Sequence, residues 1–307
     1  MIDQRIIDKL RQLLPADCVY VDEAMSKYTS FKIGGPADLL LTPTSIEEIC
    51  DAYKFLKGEQ IKITWLGNGS NVLVSDKGIR GAVIVLGERF STVQVSDVAI
   101  VAQAGARLAN VSKVALEHGL TGFEFADGIP GTIGGAAFMN AGAYGGEMKQ
   151  VVESVTALKP DGTVINLASD KLNFRYRGSA IQDEGYIVLT VDISLERGDK
   201  KEIKATIDDL MQRRRDKQPL EWPSAGSTFK RPPGYYAGKL VQDAGLRGVR
   251  FGDAAVSAKH CGFVVNLGNA TCADVKTLIA FIQKTVRDKY GVELETEVRM
   301  IGDFEGA

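Results

Sequence analysis

The sequence predicts an α+β fold arranged in about two domains. The chain has 307 residues, more than the roughly 250 to 300 at which a single hydrophobic core stops growing. Strand-length apolar segments alternate with amphipathic helical segments, but without the strict strand–helix–strand rhythm of a parallel sheet. Among them lies a stretch, residues 128–146, in which seven of nineteen residues are glycine. Its other residues are mostly apolar, which indicates closely packed backbone rather than a flexible linker.

The hydrophobic pattern predicts the elements in order. An amphipathic helix lies within residues 1–14, and a strand at 39–41 precedes a helix in which Ser45 and Glu48 form a capping box and Gly58 is the C′ residue. Further strands are expected at 61–66, 72–74, 83–86, 93–101, 151–158, 163–167 and 186–195. Further helices are expected at 108–118, ended by Gly119, and at 203–217, 235–244 and 273–290.

A charged, glycine-bearing stretch at 197–202 marks a candidate domain boundary. We therefore expect a lead-in at 1–28, a first domain at 29–197 and a second domain at 198–307. Neither an internal repeat nor a low-complexity segment is found in the sequence.

Composition excludes several classes of partner. The chain is 45% hydrophobic and 25% charged, with a formal net charge of −2, which gives no electrostatic reason to expect nucleic acid or an anionic membrane. No run approaches the roughly 20 apolar residues of a membrane span. The amphipathic N-terminus is not a signal peptide, so a cytoplasmic protein is expected.

Cysteine and histidine usage excludes a disulfide framework, a structural zinc site and Ser-His-Asp chemistry. The cysteines form no Cys-x-x-Cys pair and are expected to be reduced. The two histidines are far apart and in no ligand-like spacing, so no metal is expected. These residues are Cys18, Cys50, Cys261, Cys272, His118 and His260.

Two glycine segments favour a phosphate-bearing cofactor. Residues 67–71 follow a strand, and residues 128–146 are the longer segment. Glycine permits positive φ and lets backbone N–H groups turn inward as an anion-binding nest. The alternatives are an ordinary turn for the first segment and a tight crossover for the second. A Rossmann domain is excluded because strand, not helix, follows residue 71 and the third glycine is missing, so the fold is of another cofactor-binding type.

Four segments contain polar residues whose presence the predicted elements do not explain. The basic helix end at 213–217 is either solvated or a clamp for a diphosphate. In the segment 174–179, alternation places Arg175 and Arg177 on one side, as a solvated pair or as an anion site. The segment 224–233 is either an irregular loop or part of a catalytic site. The segment 294–299 is either a strand with an exposed polar face or part of such a site.

Taken together, the motifs resemble the UDP-N-acetylenolpyruvoylglucosamine reductase family, flavoenzymes of bacterial cell-wall precursor synthesis. The resemblance runs from about residue 29 to residue 301, in family order, and is closest to the short form of the family. The motifs that carry it are Thr-Ser-Phe-Lys-Ile-Gly-Gly (29–35), Gly-Asn-Gly-Ser-Asn (67–71), Gly-Ile-Pro-Gly-Thr-Ile-Gly-Gly (128–135), Asn-Ala-Gly-Ala-Tyr-Gly (140–145), Tyr-Arg (176–177), Gly-Ser-Thr-Phe-Lys (226–230) and Glu-Thr-Glu-Val-Arg (295–299).

The resemblance implies an FAD-binding domain of the vanillyl-alcohol oxidase and p-cresol methylhydroxylase type, with two α/β subdomains, followed by an α+β substrate-binding domain. It implies noncovalent FAD that takes a hydride from NADPH and passes it to the enolpyruvyl group of the UDP sugar, giving UDP-N-acetylmuramate. The residues expected to bind FAD are Gly67, Asn68, Gly69, Ser70, Asn71, Gly128, Pro130, Gly131, Thr132, Gly134, Gly135, Asn140, Ala141 and Gly142.

The same resemblance implies the catalytic residues Arg177, Ser227 and Glu297. Tyr176, Lys217 and Lys230 match family positions near the substrate, and Arg214 is expected beside Lys217 at the substrate diphosphate. Arg231 departs from the long form of the family, which has Asn there. A monomer or weak oligomer is expected.

The chemistry gives these three residues distinct roles. Hydride delivery to an enolpyruvyl ether leaves an enolate-like dianion, which needs preorganised positive charge such as Arg177. The enolate carbon is basic enough to take a proton from the hydroxyl of Ser227. Glu297 would repel the charge if ionised, so it is expected to be protonated or to hold Arg177 and the substrate in place. The competing functions are a flavin oxidase that uses oxygen and a flavin or nucleotide-sugar sensor without catalysis.

Overall fold

The computed structural model describes residues 2–304, which form two compact units built from discontinuous segments. The first unit comprises Met1–Tyr20, Leu39–Asn68 and Gly81–Arg214, and the second comprises Val21–Asp38, Gly69–Arg80 and Arg215–Ala307. Each unit has its own buried apolar cluster. The fold class is α+β, as the sequence predicts.

The α-helices agree with the expected ones within a few residues at each end, with two short helices added. They are α1 (Gln4–Leu13), α2 (Ile46–Gly58), α3 (Leu108–Glu117), α4 (Ile133–Phe138), α5 (Ala180–Asp183), α6 (Lys200–Lys217), α7 (Ala237–Asp243) and α8 (Cys272–Tyr290).

The strands include every expected segment and several short additions. They are β1 (Val19–Ala24), β2 (Pro36–Leu41), β3 (Ile63–Leu66), β4 (Val72–Val74), β5 (Ile79–Val85), β6 (Val93–Ser96), β7 (Ala99–Gln103), β8 (Leu120–Thr121), β9 (Gly142–Ala143), β10 (Gly146–Glu147), β11 (Val152–Leu158), β12 (Val164–Ala168), β13 (Ile187–Ser194), β14 (Glu196–Arg197), β15 (Ser224–Ser227), β16 (Arg250–Phe251), β17 (Ala254–Val256), β18 (Phe263–Asn266) and β19 (Arg299–Ile301).

The first unit contains a five-stranded antiparallel sheet in the order β12-β11-β13-β7-β6. Its three central strands, β11, β13 and β7, supply the buried residues, among them Ile100, Val155 and Val191. The short helix α4 lies against β13. This sheet therefore supports the glycine-rich segment that contains α4.

A four-stranded sheet in the order β1-β2-β5-β3 leads to the shorter glycine segment. Strand β3 pairs in parallel with β5, with Leu66 opposite Val85, and the chain enters residues 67–71 directly after Leu66. Strands β1, β2 and β5 contain the points at which the chain passes from one unit to the other.

The second unit is built on an antiparallel sheet in the order β15-β18-β17-β16, against which α8 packs. Its core includes Val264, Val275 and Ile279. Strand β19 pairs in parallel with β4, which brings residues near the end of the chain beside the segment that follows the first glycine loop.

The units divide the chain differently from the expected boundary at 197/198, because two early segments pack with the C-terminal residues. In addition to the β4–β19 pairing, the Asp76 carboxylate accepts the N–H groups of Cys272 and Ala273 at 2.7 and 2.9 Å. A carboxylate at the first turn of α8 satisfies N–H groups that have no partner within the helix. Helix α6, expected in the second domain, belongs to the first unit up to Arg214.

The expected ends of α2 were partly wrong. Ser45 caps the helix by accepting the N–H of Glu48 at 3.1 Å. The Glu48 carboxylate, however, accepts the N–H of Thr44 at 2.7 Å rather than that of Ser45, so the reciprocal capping box is displaced by one residue. Gly58 is the last residue of the helix rather than the residue beyond it.

Candidate active site

Within the first unit, the start of the shorter glycine segment contacts the longer one, Gly67 lying against Thr132. A Cβ atom built on Gly67 would lie 2.7 Å from Oγ1 of Thr132, so a side chain at this position would displace the Thr132 hydroxyl. Thr132 is buried and is the N-cap of α4, where its hydroxyl oxygen accepts the N–H of Gly135 at 3.4 Å. The strand end at Leu66 and the start of α4 are thus brought together.

The longer segment contains the short helix α4 and a hairpin of β9 and β10, neither of which was predicted from the sequence. Gly134 allows α4 to lie directly on the backbone of residue 104, because a Cβ built on Gly134 would lie 2.6 Å from the Cβ of Ala104. Its N–H donates to the carbonyl of Ala104 at 2.9 Å. Gly134 therefore has a packing role, and its N–H group is already used by the protein.

Other N–H groups in both segments remain available for a ligand. Within residues 2–304, no protein acceptor takes the N–H groups of Asn68, Gly131 or Thr132, all of which belong to the first unit. Backbone N–H groups without a protein partner beside close-packed glycines suit a pyrophosphate. The residues present therefore fit the anionic part of FAD, with these N–H groups as the donors that would hold it.

The hairpin of β9 and β10 follows α4 and is closed by Tyr144 and Gly145, both with positive φ. Gly142 allows the two strands to pack, since a Cβ there would lie 2.6 Å from the carbonyl oxygen of Gly146. Ala141 is buried. These two predicted cofactor residues thus shape the hairpin through the backbone.

Asn140, also predicted to bind the cofactor, has its side chain occupied by protein groups. Its amide nitrogen donates to Glu147 Oε2 at 2.7 Å and to the carbonyl of Arg175 at 3.2 Å. Its amide oxygen accepts the N–H of Lys149 at 2.9 Å. The Lys149 ammonium and the Asn140 amide, with burial opposing them, hold the pKa of Glu147 below its usual value.

Arg177 lies in a tight turn of the first unit. Arg175 and Gly178 exchange two backbone hydrogen bonds, at 3.0 and 3.1 Å, and this leaves Tyr176 and Arg177 at the tip. Arg177 has a φ of +54°, which is unusual for a residue with a side chain. Tyr176 is 60% exposed, and the Arg177 guanidinium carbon lies 5.2 Å from the centre of its ring.

Ser227 lies at the end of β15 in the second unit and is exposed. The register of β15 against β18 shifts between Ser224 and Ser227, and Gly226 has a φ of +77°. Such a bulge bends a strand and changes the direction of a side chain. Thr228 fixes the next position, because its hydroxyl oxygen accepts the N–H of Val264 at 2.9 Å.

Glu297 lies on the segment that pairs with the residues directly after Ser227. Its N–H donates to the carbonyl of Thr228 at 2.9 Å, and Phe229 and Thr296 form an antiparallel bridge. The amide nitrogen of Asn71 donates to the carbonyl of Glu297 at 3.2 Å. The second unit therefore brings the segments of Ser227, Glu297 and Asn71 together, whereas Arg177 belongs to the first unit.

The basic end of α6 separates into residues with different environments. Arg213 is exposed and pairs with Asp209 at 2.8 Å. Arg214 is only 8% exposed and packs on Gly128, where a built Cβ would lie 3.1 Å from the Cδ of Arg214. Burial lowers the pKa of Arg214, and Tyr144 opposes that effect. The solvated-helix interpretation is therefore wrong for Arg214.

The other predicted substrate residues lie on the surface of the second unit. Lys217, at the end of α6, is exposed. Lys230 forms an ion pair with Glu295. Arg231 packs over the ring of Tyr236, with 4.0 Å between the guanidinium carbon and the ring centre.

All four cysteines are free thiols, as expected. In the part of the chain from 2 to 304, no group of three or more His, Cys, Asp or Glu side chains could hold a metal ion. Every helix of that part is too short or too polar to span a membrane.

The sequence matches two family models. Residues 37–168 match an FAD binding domain, and residues 218–301 match the C-terminal domain of UDP-N-acetylenolpyruvoylglucosamine reductase. A protein of that name from Caldanaerobacter subterraneus subsp. tengcongensis is 53% identical over 298 residues, covering 97% of this chain and 98% of the relative. Another from Staphylococcus aureus is 48% identical over 303 residues, covering 99% and 98%.

Solved structures show the same relationship. UDP-N-acetylenolpyruvylglucosamine reductase from Thermus caldophilus matches with a TM-score of 0.77 and 35% identity, covering 92% of this chain and 97% of that one. An alkyldihydroxyacetonephosphate synthase matches 64% of this chain with a TM-score of 0.51 and 16% identity, which supports the fold alone. The α+β fold with an FAD-binding domain is thereby confirmed. Matches of this extent, over both units, show that the chain belongs to the UDP-N-acetylenolpyruvoylglucosamine reductase family.

Proposed function

We propose that this protein is an NADPH-dependent flavoenzyme that reduces the enolpyruvyl group of UDP-N-acetylglucosamine enolpyruvate to give UDP-N-acetylmuramate. Nearly full-length identity to reductases of this name supports the reaction. The observation that carries it in this chain is the pairing of residues 228–230 with residues 295–297, so that Ser227 and Glu297 lie on neighbouring segments.

The residues of the first unit would hold FAD and stabilise charge. The N–H groups of Gly131 and Thr132 would bind the pyrophosphate. When bound, FAD supplies a two-electron relay between NADPH and an acceptor. Arg177, which stays protonated at any physiological pH, would stabilise the negative charge that develops on the enolpyruvyl carboxylate.

The residues of the second unit would complete the reaction. Ser227 would donate its hydroxyl proton to the carbon that carries the carboxylate and the ether oxygen, which closes the reduction of the double bond. Glu297 would orient the substrate, since its backbone is fixed by the carbonyl of Thr228 and the amide of Asn71. Lys217 and Lys230 would contact the substrate, and so would Tyr176 and Arg214 of the first unit, with Arg214 and Lys217 at its diphosphate.

Anaerobic absorbance spectroscopy tests the proposal against its two competitors. NADPH should bleach the flavin bands, and the enolpyruvyl sugar should restore them with formation of one product per flavin. An oxidase would recover its colour rapidly with oxygen and not with the sugar. A sensor would bind flavin or nucleotide sugar without consuming NADPH, and either result would refute the proposal.

The product is a cell-wall precursor, so the protein would act in peptidoglycan synthesis. A nucleotide sugar and NADPH are both cytoplasmic metabolites, which places the proposed reaction in the cytoplasm. We further propose a monomer or weak oligomer, which sedimentation at micromolar concentration would test.

A further inference from the structure

The turn that carries Arg177 is tied to the end of α4 at two points. At its start, the carbonyl of Arg175 accepts an N–H of the Asn140 amide at 3.2 Å. Just beyond it, the hydroxyl of Ser179 donates to the carbonyl of Phe138 at 2.6 Å. Both tethers reach residues 138–140, at the end of the helix of the glycine-rich segment.

Ser179 occupies the N-cap position of α5, but its side chain does not cap the helix. It precedes α5 with extended backbone, the usual N-cap geometry, yet its side chain makes no capping hydrogen bond. The hydroxyl is directed to Phe138 instead, and the side chain is completely buried. Since a serine at this position normally stabilises the helix that follows it, the alternative contact must serve the connection between the two segments.

Asn140 is suited to the other tether by both its backbone and its side chain. It has a φ of +45° and is 2% exposed, and Asn tolerates positive φ better than most residues. Its amide nitrogen donates both hydrogens, one to Glu147 and one to Arg175, and its oxygen accepts the N–H of Lys149. The buried amide thus has a protein partner for each donor and an acceptor bond as well.

The Glu147 carboxylate interacts electrostatically with Arg177 of the same turn. Its carboxylate is held by the ammonium of Lys149 at 2.6 Å and by the Asn140 amide. Arg177 is close enough to contribute to the charge environment of Glu147. The hairpin therefore supplies both a hydrogen-bond anchor for the turn and a carboxylate near the guanidinium that the turn presents.

We propose that Asn140 and Ser179 are positioning residues that fix the Arg177 turn relative to the cofactor-binding segment. This inference rests on the proposed function, because it assumes that Arg177 acts on the sugar. The Asn140 side chain was expected to contact the cofactor. In this proposal it instead supports reduction of the enolpyruvyl sugar. A displacement of Arg177 by about 1 Å is enough to lower the rate of a preorganised reaction by up to about 100-fold.

The test measures the two half-reactions of the FAD-loaded protein by stopped-flow absorbance. Asn140→Asp keeps a residue that tolerates positive φ and keeps the acceptor for Lys149, but loses both donors. It also places a carboxylate beside Glu147, so it is combined with Glu147→Gln, which restores a hydrogen bond between positions 140 and 147 but not the bond to Arg175. Ser179→Ala removes the other tether alone.

Asn140→Asp combined with Glu147→Gln, and Ser179→Ala, should each slow flavin reoxidation by the enolpyruvyl sugar by about 10-fold or more. Flavin reduction by NADPH and the dissociation constant of FAD should stay within about threefold, because in the proposed function Arg177 acts on the sugar and not on NADPH or the flavin. The matched control is Asp183→Asn, which removes the exposed ion pair of the Arg175 side chain at 2.9 Å but leaves its carbonyl contact intact. Exposed pairs contribute little to stability, so the control should reoxidise near the parental rate.

Three results would overturn the inference. Parental reoxidation in the double variant, Asn140→Asp with Glu147→Gln, would show that the Arg175 contact does not matter. Equal slowing of both half-reactions together with weaker FAD binding would return Asn140 to a cofactor role. A parent protein that is never reoxidised by the sugar would refute the proposed function itself, and the inference with it.

Discussion

At the scale of single residues, the candidate site depends on backbone geometry that presents short side chains. Ser227 is exposed although Ala225, which would share its face in a regular strand, is buried, because the bulge at Gly226 changes the direction of the strand. Thr228 is held on two sides, since its N–H donates to the carbonyl of Gly262 at 2.9 Å and its own carbonyl accepts from Glu297. A hydroxyl held on such a fixed segment can donate a proton without a histidine beside it.

Ser227→Ala should separate the two half-reactions. Reduction of the flavin by NADPH involves no carbon protonation, so its rate should stay within a few fold of the parent. Reoxidation by the sugar requires the proton and should slow by roughly 10² to 10⁴ fold, the usual effect of a lost general acid. Ser227→Cys should recover part of the rate, because a thiol is a stronger acid. Stopped-flow absorbance measures both steps, and near-normal reoxidation of the Ala variant would remove Ser227 from the mechanism.

Lys217→Ala should raise the KM for the UDP sugar. Loss of a charge-assisted contact to the diphosphate is expected to cost about 1.5 kcal/mol, which is roughly tenfold in kcat/KM. The matched control is Arg213→Ala, on the preceding turn of the same helix, where the side chain is exposed and pairs with Asp209. If both variants keep the parental KM, the end of α6 is a solvated surface at Lys217.

The run of basic residues at 213–217 shows what sequence could and could not predict at this scale. Its residue types allowed two interpretations, solvation or anion binding, and both were kept. Burial of Arg214 against Gly128 depends on where the glycine segment packs along α6, which no local pattern specifies. The contacts of the Asn140 side chain were missed for the same reason, since its partner Arg175 is 35 residues away along the chain.

At the scale of elements, the long apolar and amphipathic segments were predicted well and the glycine-rich ones were not. Hydrophobic periodicity predicted α3, α8 and the strands β11 to β13 within a few residues, because it reports directly which face is buried. Helix α4 was missed because its sequence begins Ile-Gly-Gly, and glycine disfavours helices by about 1 kcal/mol per residue. Tertiary contacts with residues 104–108 stabilise it instead.

Gly134→Ala should test this account of α4. The added methyl group would meet the Cβ of Ala104 at 2.6 Å and its backbone carbonyl at 3.0 Å, so either the helix or the loop must shift. Overpacking of this kind costs about 1 to 3 kcal/mol, which is at least as large as the gain in helix propensity. The melting temperature should fall, as measured by circular dichroism.

Gly135→Ala is the matched control, because its built Cβ lies at an ordinary 3.6 Å from Oγ1 of Thr132. It should not lower the melting temperature. Loss of stability in Gly135→Ala but not in Gly134→Ala would contradict the packing role of Gly134.

At the scale of the whole molecule, the sequence predicted the order of the two functional parts but not how the chain builds them. Segments 29–38 and 69–80 lie within the expected first domain, yet they pack in the second unit. The pairing of β4 with β19 joins residues more than two hundred positions apart, and non-local strand pairing leaves little trace in local patterns. The function was predicted from the family resemblance, because the motifs of that resemblance include residues of both units.

Binding of FAD without a covalent link is expected of the whole protein. The purified protein should be yellow, and acid precipitation should release the colour into the supernatant, because FAD is expected to be bound without a covalent link. Covalent attachment would need a histidine or a reactive thiolate, and neither glycine segment contains His or Cys. Burial raises the pKa values of Cys50, Cys261 and Cys272, the last to about 12, which disfavours the nucleophilic thiolate.

Both histidine side chains make hydrogen-bond contacts outside the two glycine segments. Nδ1 of His118 lies 2.9 Å from the carbonyl of Val114 at the end of α3, and Nδ1 of His260 accepts the N–H of Gly262 at 3.0 Å in the second unit. Noncovalent FAD should also stabilise the folded state by mass action, so that added FAD raises the melting temperature of protein stripped of cofactor. Retention of the flavin absorbance in the acid pellet, confirmed by a mass increase of the denatured chain, would show that the link is covalent.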